Sequence, residues 1–123
     1  MSFDWEDYIR LANKLFNEPN KNSLEEAYNR SVISRAYYGV FCLARIKAGL
    51  EFDKNRAKIH QKVINYYKSS NKLKEKEVGQ ILDELRKDRN IADYEGIKYI
   101  DKERAERSIL KANIVIEILK ETQ

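Results

Sequence analysis

Six consecutive residues, Arg89-Asn90-Ile91-Ala92-Asp93-Tyr94, place a guanidinium, an amide, a carboxylate and a phenol within two helical turns. A guanidinium flanked by hydrogen-bonding groups suits a phosphodiester, because it offers permanent charge and a planar fork of donors. The position of Arg89 makes it more than a surface charge. It stands four residues after Leu85 and three before Ala92, in the apolar row formed by Val78, Ile81, Leu82, Leu85 and Ala92. A cation in that row must be paired, desolvated or turned toward a cleft. Two accounts stand. In one, Asp93 forms an intrahelical ion pair with Arg89 while the arginine stem packs as hydrocarbon. In the other, Arg89, Asn90, Asp93 and Tyr94 join Arg35 and Tyr38 of another helix in a site for a phosphate. The two are compatible.

Arg35 and Tyr38 lie on a polar stripe. Ser31, Arg35, Tyr38, Cys42 and Arg45 follow helical spacing along one edge of an otherwise apolar segment, so that edge must meet water, a partner or other polar groups. The other chemical candidates are fewer. His60 is the single histidine, and a lone histidine beside apolar residues is expected to be a hydrogen-bonded core residue. Cys42, the single cysteine, is expected as a buried structural thiol, since no histidine neighbours it in sequence. No cluster of histidine, cysteine and carboxylate has metal-ligand spacing, and neither the P-loop nor the dinucleotide glycine pattern occurs. No metal or cofactor is expected.

The elements that must hold these groups are helices. Four glycines and one proline in 123 residues leave little for the tight turns of a sandwich or barrel. Trp5, Tyr8, Ile9, Ala12, Leu15 and Phe16 have helical spacing, predicting a first helix from about Asp4 to Phe16. Ser23 with Glu26 three residues later has the form of a capping box and predicts the start of a second helix running to about Ala48, with Gly49 ending it. In this central helix Ile33, Tyr37, Val40 and Ala44 cover one side, and Val32, Ala36, Leu43 and Ile46 much of the rest. A loop around Glu51 to Asn55 leads to a third helix carrying Ile59, Val63, Ile64 and Tyr67, which ends near Ser69-Ser70-Asn71. The fourth carries Arg89. Asp101 is placed to cap a fifth, with a seam of Ala105, Ser108, Ile109, Ala112, Val115, Ile116 and Leu119 and a hydrophobic staple between Ile100 and Ala105. The expectation is all-α, a single domain over 1–123, built as an antiparallel up-and-down bundle of about five helices.

Composition bounds the partners. Basic and acidic residues, 24 and 20, are interleaved, and the net charge is +4; such a surface permits RNA without demanding it. No stretch has the apolar length of a membrane span, and no secretory signal opens the chain, so a cytoplasmic protein is expected.

Two segments resemble a known family. Ser34-Arg35-Ala36-Tyr37-Tyr38-Gly39-Val40-Phe41 and Leu85-Arg86-Lys87-Asp88-Arg89-Asn90-Ile91-Ala92-Asp93-Tyr94 are similar to the two signature segments of small prokaryotic HEPN-domain proteins. Asp4-Trp5 and His60 fit as well. The resemblance implies a helical bundle that forms a homodimer with its arginine motifs facing a shared cleft. It also implies RNA or nucleotides as ligands and, in many members, metal-independent ribonuclease activity in a toxin encoded beside a small nucleotidyltransferase. Carried onto this chain, the catalytic group is Arg89 with Asp93 and Tyr94, and the substrate-binding group Asn90, Arg35 and Tyr38. The family's motif places a histidine after its arginine with four to six residues between them. Positions 94 to 96 are Tyr94, Glu95 and Gly96, which sets the sequence nearer a branch with an Asp-Tyr ending. A carboxylate or phenol takes over the proton handling of an imidazole only with a strongly moved pKa. The alternative is a non-catalytic nucleotide-binding or protein-interaction module in which the arginine motif is structural.

Overall fold

A computed structural model describes residues 2–121. It contains five helices, α1 (Glu6–Phe16), α2 (Glu25–Lys47), α3 (Ile59–Lys68), α4 (Leu73–Tyr94) and α5 (Lys102–Glu121), and no strand among the described residues. α2 lies at the centre and packs on α1, α4 and α5, while α3 packs chiefly on α4. Val32, Ile33, Ala36, Tyr37, Val40 and Ala44 of α2 are buried, as its near-continuous apolar circumference requires. They meet Leu82 and Leu85 of α4, Val63, Ile64 and Tyr67 of α3, and Ala112 and Val115 of α5 in one core. Ile46 departs from expectation: it is exposed, and Leu43 is half-buried, because both face the open side between α2 and α5 near Ile116 and Lys120.

The helix ends show which local signals hold. Asp4 accepts a hydrogen bond from the Glu6 amide at 3.0 Å and also pairs with Arg10, so α1 opens on a carboxylate that satisfies its positive end. Gly49 ends α2 with φ of 76°. Its N–H bonds the Ile46 carbonyl and that of Leu50 the Arg45 carbonyl, both at 3.0 Å, a Schellman closure in which glycine avoids the strain of a side chain in the left-handed region. Asp101 caps α5 by accepting from the Arg104 amide at 2.9 Å, and Ile100 and Ala105 are both buried.

The capping box at Ser23 does not form. Asn22 and Ser23 have φ of 49° and 66°, α2 begins after Leu24, and no side chain caps it. Glu26 serves a distant contact instead. Its carboxylate accepts from the Ile100 amide at 3.0 Å and from Arg30, and these bonds hold its pKa below the usual carboxylate range, the Ile100 amide contributing most. Arg30 donates to the carbonyls of Ile91, Ala92, Glu95 and Lys98. α4 has no basic residue in its last turn, so Arg30 supplies from α2 the positive charge that a helix C-terminus favours. Asn29 donates to the Ile100 carbonyl at 3.2 Å. The first turns of α2 thereby fix the end of α4, where Asp93 and Tyr94 sit.

Candidate functional site

The polar stripe of α2 and the arginine row of α4 meet. Arg89 is only 6% exposed, and its guanidinium carbon lies 5.5 Å from the Tyr37 ring centroid, 5.0 Å from that of Tyr38 and 5.9 Å from that of Tyr94. It pairs with Asp93, Nη1 at 3.7 Å from Oδ2, too far for a hydrogen bond. Among the described residues Arg89 donates no hydrogen bond, and its Nε is buried without a partner. The ion pair with Asp93 exists, then, yet leaves Nε without a partner. Three aromatic faces stabilise the charge through their quadrupoles without using its donors.

Asp93 is shared. Its Oδ2 also accepts from the Ser34 hydroxyl at 3.3 Å, and its side chain keeps 28% of its exposure. Arg35 reaches toward Ser34 and lies over the rings of Tyr8 and Tyr38, at 4.6 and 5.6 Å, which brings α1 to the edge of the site. Tyr94 stands 75% exposed on the rim. Asn90 is exposed on α4 and makes no hydrogen bond among the described residues. Of the six residues singled out in the sequence, Arg89, Asp93, Tyr94, Arg35 and Tyr38 thus form one connected cluster, and Asn90 stands beside it.

Sequence spacing did not reveal Arg86, Ser34 or Tyr37, and it set His60 apart. Arg86 precedes Arg89 by one helical turn, with Nε buried and unpartnered and Nη1 at 3.4 Å from Gln61 Oε1. Tyr37 is fully buried, and its hydroxyl lies 2.6 Å from His60 Nδ1. The His60 ring stacks on Phe41 at 4.2 Å and meets Tyr38 edge-on at 6.1 Å. Burial raises the Tyr37 pKa, so the phenol keeps its proton, and that proton has no other acceptor among the described residues. Tyr37 therefore donates to Nδ1, and the neutral ring carries its own proton on Nε2.

Burial, and after it the positive charges of Arg86, Arg89 and Arg45, lower the His60 pKa to about 4. The unfolded chain takes up this proton near pH ~6.5. Between those values the unfolded state binds more protons, so stability is unaffected by His60 above pH ~6.5, declines as pH falls toward 4, and loses nothing further below. The His60 Cε1–H resonance is expected to titrate near pH 4; a midpoint at the ordinary imidazole value would show the ring to be solvated and its cationic neighbours remote.

A groove of about 800 Å3 is also bordered by Tyr38, between α2, the following loop and α3. Tyr38, Phe41, Phe52, Arg56 and His60 line it, together with Cys42, Arg45, Lys54, Glu51, Asp53 and Ile59. Asp53 is bound to Lys62 at 2.7 Å, and Arg45 donates to the Leu50 and Asp53 carbonyls. Burial pushes the Cys42 thiol up to about 11, which removes it as a nucleophile at neutral pH. Among the described residues no group of three or more histidine, cysteine or carboxylate side chains is placed to hold a metal. Among the described residues no helix is long and apolar enough to cross a membrane.

Compared with protein-family models, residues 5–122 match that of the HEPN domain. No curated protein and no solved structure matches the chain.

Proposed function

The chain belongs to the HEPN-domain family, and from that footing we propose that the Arg89 cluster binds a phosphate of RNA or of a nucleotide. One observation carries this: a nearly buried guanidinium that donates no hydrogen bond and has its nearest carboxylate at 3.7 Å. A buried donor left unused costs stability, and an anion with several acceptor oxygens is a ligand that the guanidinium fork suits. Arg89 supplies the charge, Asp93 orients it, and Arg35 on its aromatic platform adds a second cation from α2. Tyr38 walls the site and Tyr94 and Asn90 border it. The same reading includes a homodimer, supported by the exposed Tyr94, Ile97 and Tyr99 near the site and readable by light scattering at micromolar concentration. A small nucleotidyltransferase as partner, and the role of a toxin, rest on the family resemblance.

Binding without cleavage is favoured by one feature. Strand cleavage needs a proton acceptor near the attacked phosphate, and the Tyr37 hydroxyl occupies the one lone pair that neutral His60 has to offer. A metal-independent ribonuclease would have to work through Asp93 and Tyr94.

The test is RNA binding at two salt concentrations, with cleavage followed in the same samples. Wild type is expected to bind more weakly as salt rises, and Arg35→Ala to weaken binding about three- to tenfold, the range for one partly exposed charged contact. If wild type binds neither RNA nor nucleotides, the phosphate site is refuted. Cleavage by wild type that disappears with Arg89 would replace binding with catalysis.

A further inference from the structure

The geometry points to a second subsite beside Arg89: the groove lined by Tyr38, Phe52, Arg56 and His60 receives the nucleoside attached to the phosphate held at Arg89. This rests on the phosphate site proposed above and deepens it.

The two places are joined by one side chain. Tyr38 packs at 5.0 Å from the Arg89 guanidinium and also lines the groove, so the proposed ligand, anchored at Arg89, would pass over Tyr38 to enter that space. A volume of about 800 Å3 is in the range of sites that enclose a small organic ligand. The wall chemistry suits a nucleoside. Phe52 is 85% exposed at the groove's edge; a base stacked on it removes two apolar faces from water, which is how proteins hold unpaired bases. His60 makes no hydrogen bond among the described residues beyond the one to Tyr37, and its Nε2–H is a neutral donor for a sugar or base acceptor. Arg56 and Lys54 lie on the same rim, beside Glu51 and Asp53, and offer charge to further phosphates of a strand.

The nucleoside can belong to a free nucleotide or to an RNA strand, and three probes separate these: inorganic phosphate, adenosine monophosphate and an adenosine trinucleotide, titrated against the full chain by calorimetry. Adenosine monophosphate is expected to bind about tenfold more tightly than phosphate, the gain that one base–aromatic stack gives. Phe52→Ala and His60→Ala should each remove most of that advantage and leave phosphate affinity unchanged. Phe52 is exposed, so its substitution leaves the fold intact and keeps the test decisive even if His60→Ala, which loses a stacked ring, unfolds. A trinucleotide that binds more tightly still, again through Phe52, identifies an RNA strand; equal affinity identifies a free nucleotide. Adenosine monophosphate no tighter than phosphate, or an advantage that survives Phe52→Ala, overturns the subsite while the Arg89 site stands. If none of the three probes binds, both fall together.

Discussion

Arg89→Ala is expected to lower RNA or nucleotide affinity by about a hundredfold or more while shifting the melting temperature by only a few degrees. The affinity loss corresponds to two charge-assisted hydrogen bonds to a phosphate at about 1.5–3 kcal/mol each. The stability change is a contest between terms. Removing the guanidinium forfeits its contacts with the Tyr37, Tyr38 and Tyr94 rings, each worth about 0.5–1 kcal/mol at an exposed site and more at a desolvated one such as this. It also removes a desolvated cation whose Nε has no partner, a group that opposes folding. Asp93 is left with the Ser34 hydroxyl and with water, so its charge is not stranded. A net loss near 1 kcal/mol, or about 3–6 °C, follows. Were Arg89 only the partner of a buried carboxylate, the same substitution would remove about 3–5 kcal/mol and leave no binding to lose. Melting curves and binding isotherms on one preparation decide between the two, and a collapse in stability with unaltered ligand affinity would rule out the phosphate site.

Gly79→Ala is the substitution expected to damage the fold most for its size. On helix propensity alone it should stabilise, since alanine is favoured over glycine in a helix interior by about 1 kcal/mol. A methyl at this position would lie 2.6 Å from the Lys68 backbone nitrogen and 3.1 Å from its Cα. Here α4 crosses the last turn of α3, and backbone cannot rotate aside as a side chain can. Separating the helices opens the packing of Val78 and Leu82 against Ile64 and Tyr67, and overpacking of this kind costs about 1–3 kcal/mol or more beyond the propensity gain. Thermal unfolding should show a fall of about 5 °C or more. Gly39→Ala should cost less, because its nearest obstacle is the tip of the Ile9 side chain at 2.6 Å, which can change rotamer. A Gly79→Ala protein more stable than wild type would mean that the two helices pass farther apart.

Helices were legible in the sequence because their signal is local. The apolar row of α4, the seam of α5, the Asp101 cap and Gly49 each depend on residues within one or two turns, where period and cap chemistry are decisive. Arg89 was legible for the same reason, as a cation in an apolar row. What failed were inferences in which a local pattern competes with a distant partner. Ser23 and Glu26 have capping-box spacing, but Glu26 is taken by the Ile100 amide 74 residues away. Ile46 fits an apolar face, but no helix covers that side. The site was partly legible: the α2 stripe and the α4 motif pointed to each other through the charge each had to place. His60 was not, because its link to the cluster runs through Tyr37, 23 residues earlier, and Tyr37 looks like any core aromatic. Arg86 drew no separate reading in the sequence; its Nε is buried without a partner, and its Nη1 meets Gln61 of α3.

The grip of α2 on residues 95–100 changes how that segment moves. It is short, surface-lying and bears the fully exposed Ile97, features of a loop whose amides exchange with solvent by small, independent fluctuations. Yet Ile100 is held at both its amide and its carbonyl by Glu26 and Asn29, and Arg30 grips the carbonyls on the way in. Opening the segment requires breaking contacts with the central helix, so it belongs to the cooperative unit of α2 rather than to the periphery. Motion at the rim that carries Tyr94 is thus tied to the central helix, and a ligand arriving there meets a surface already set in place.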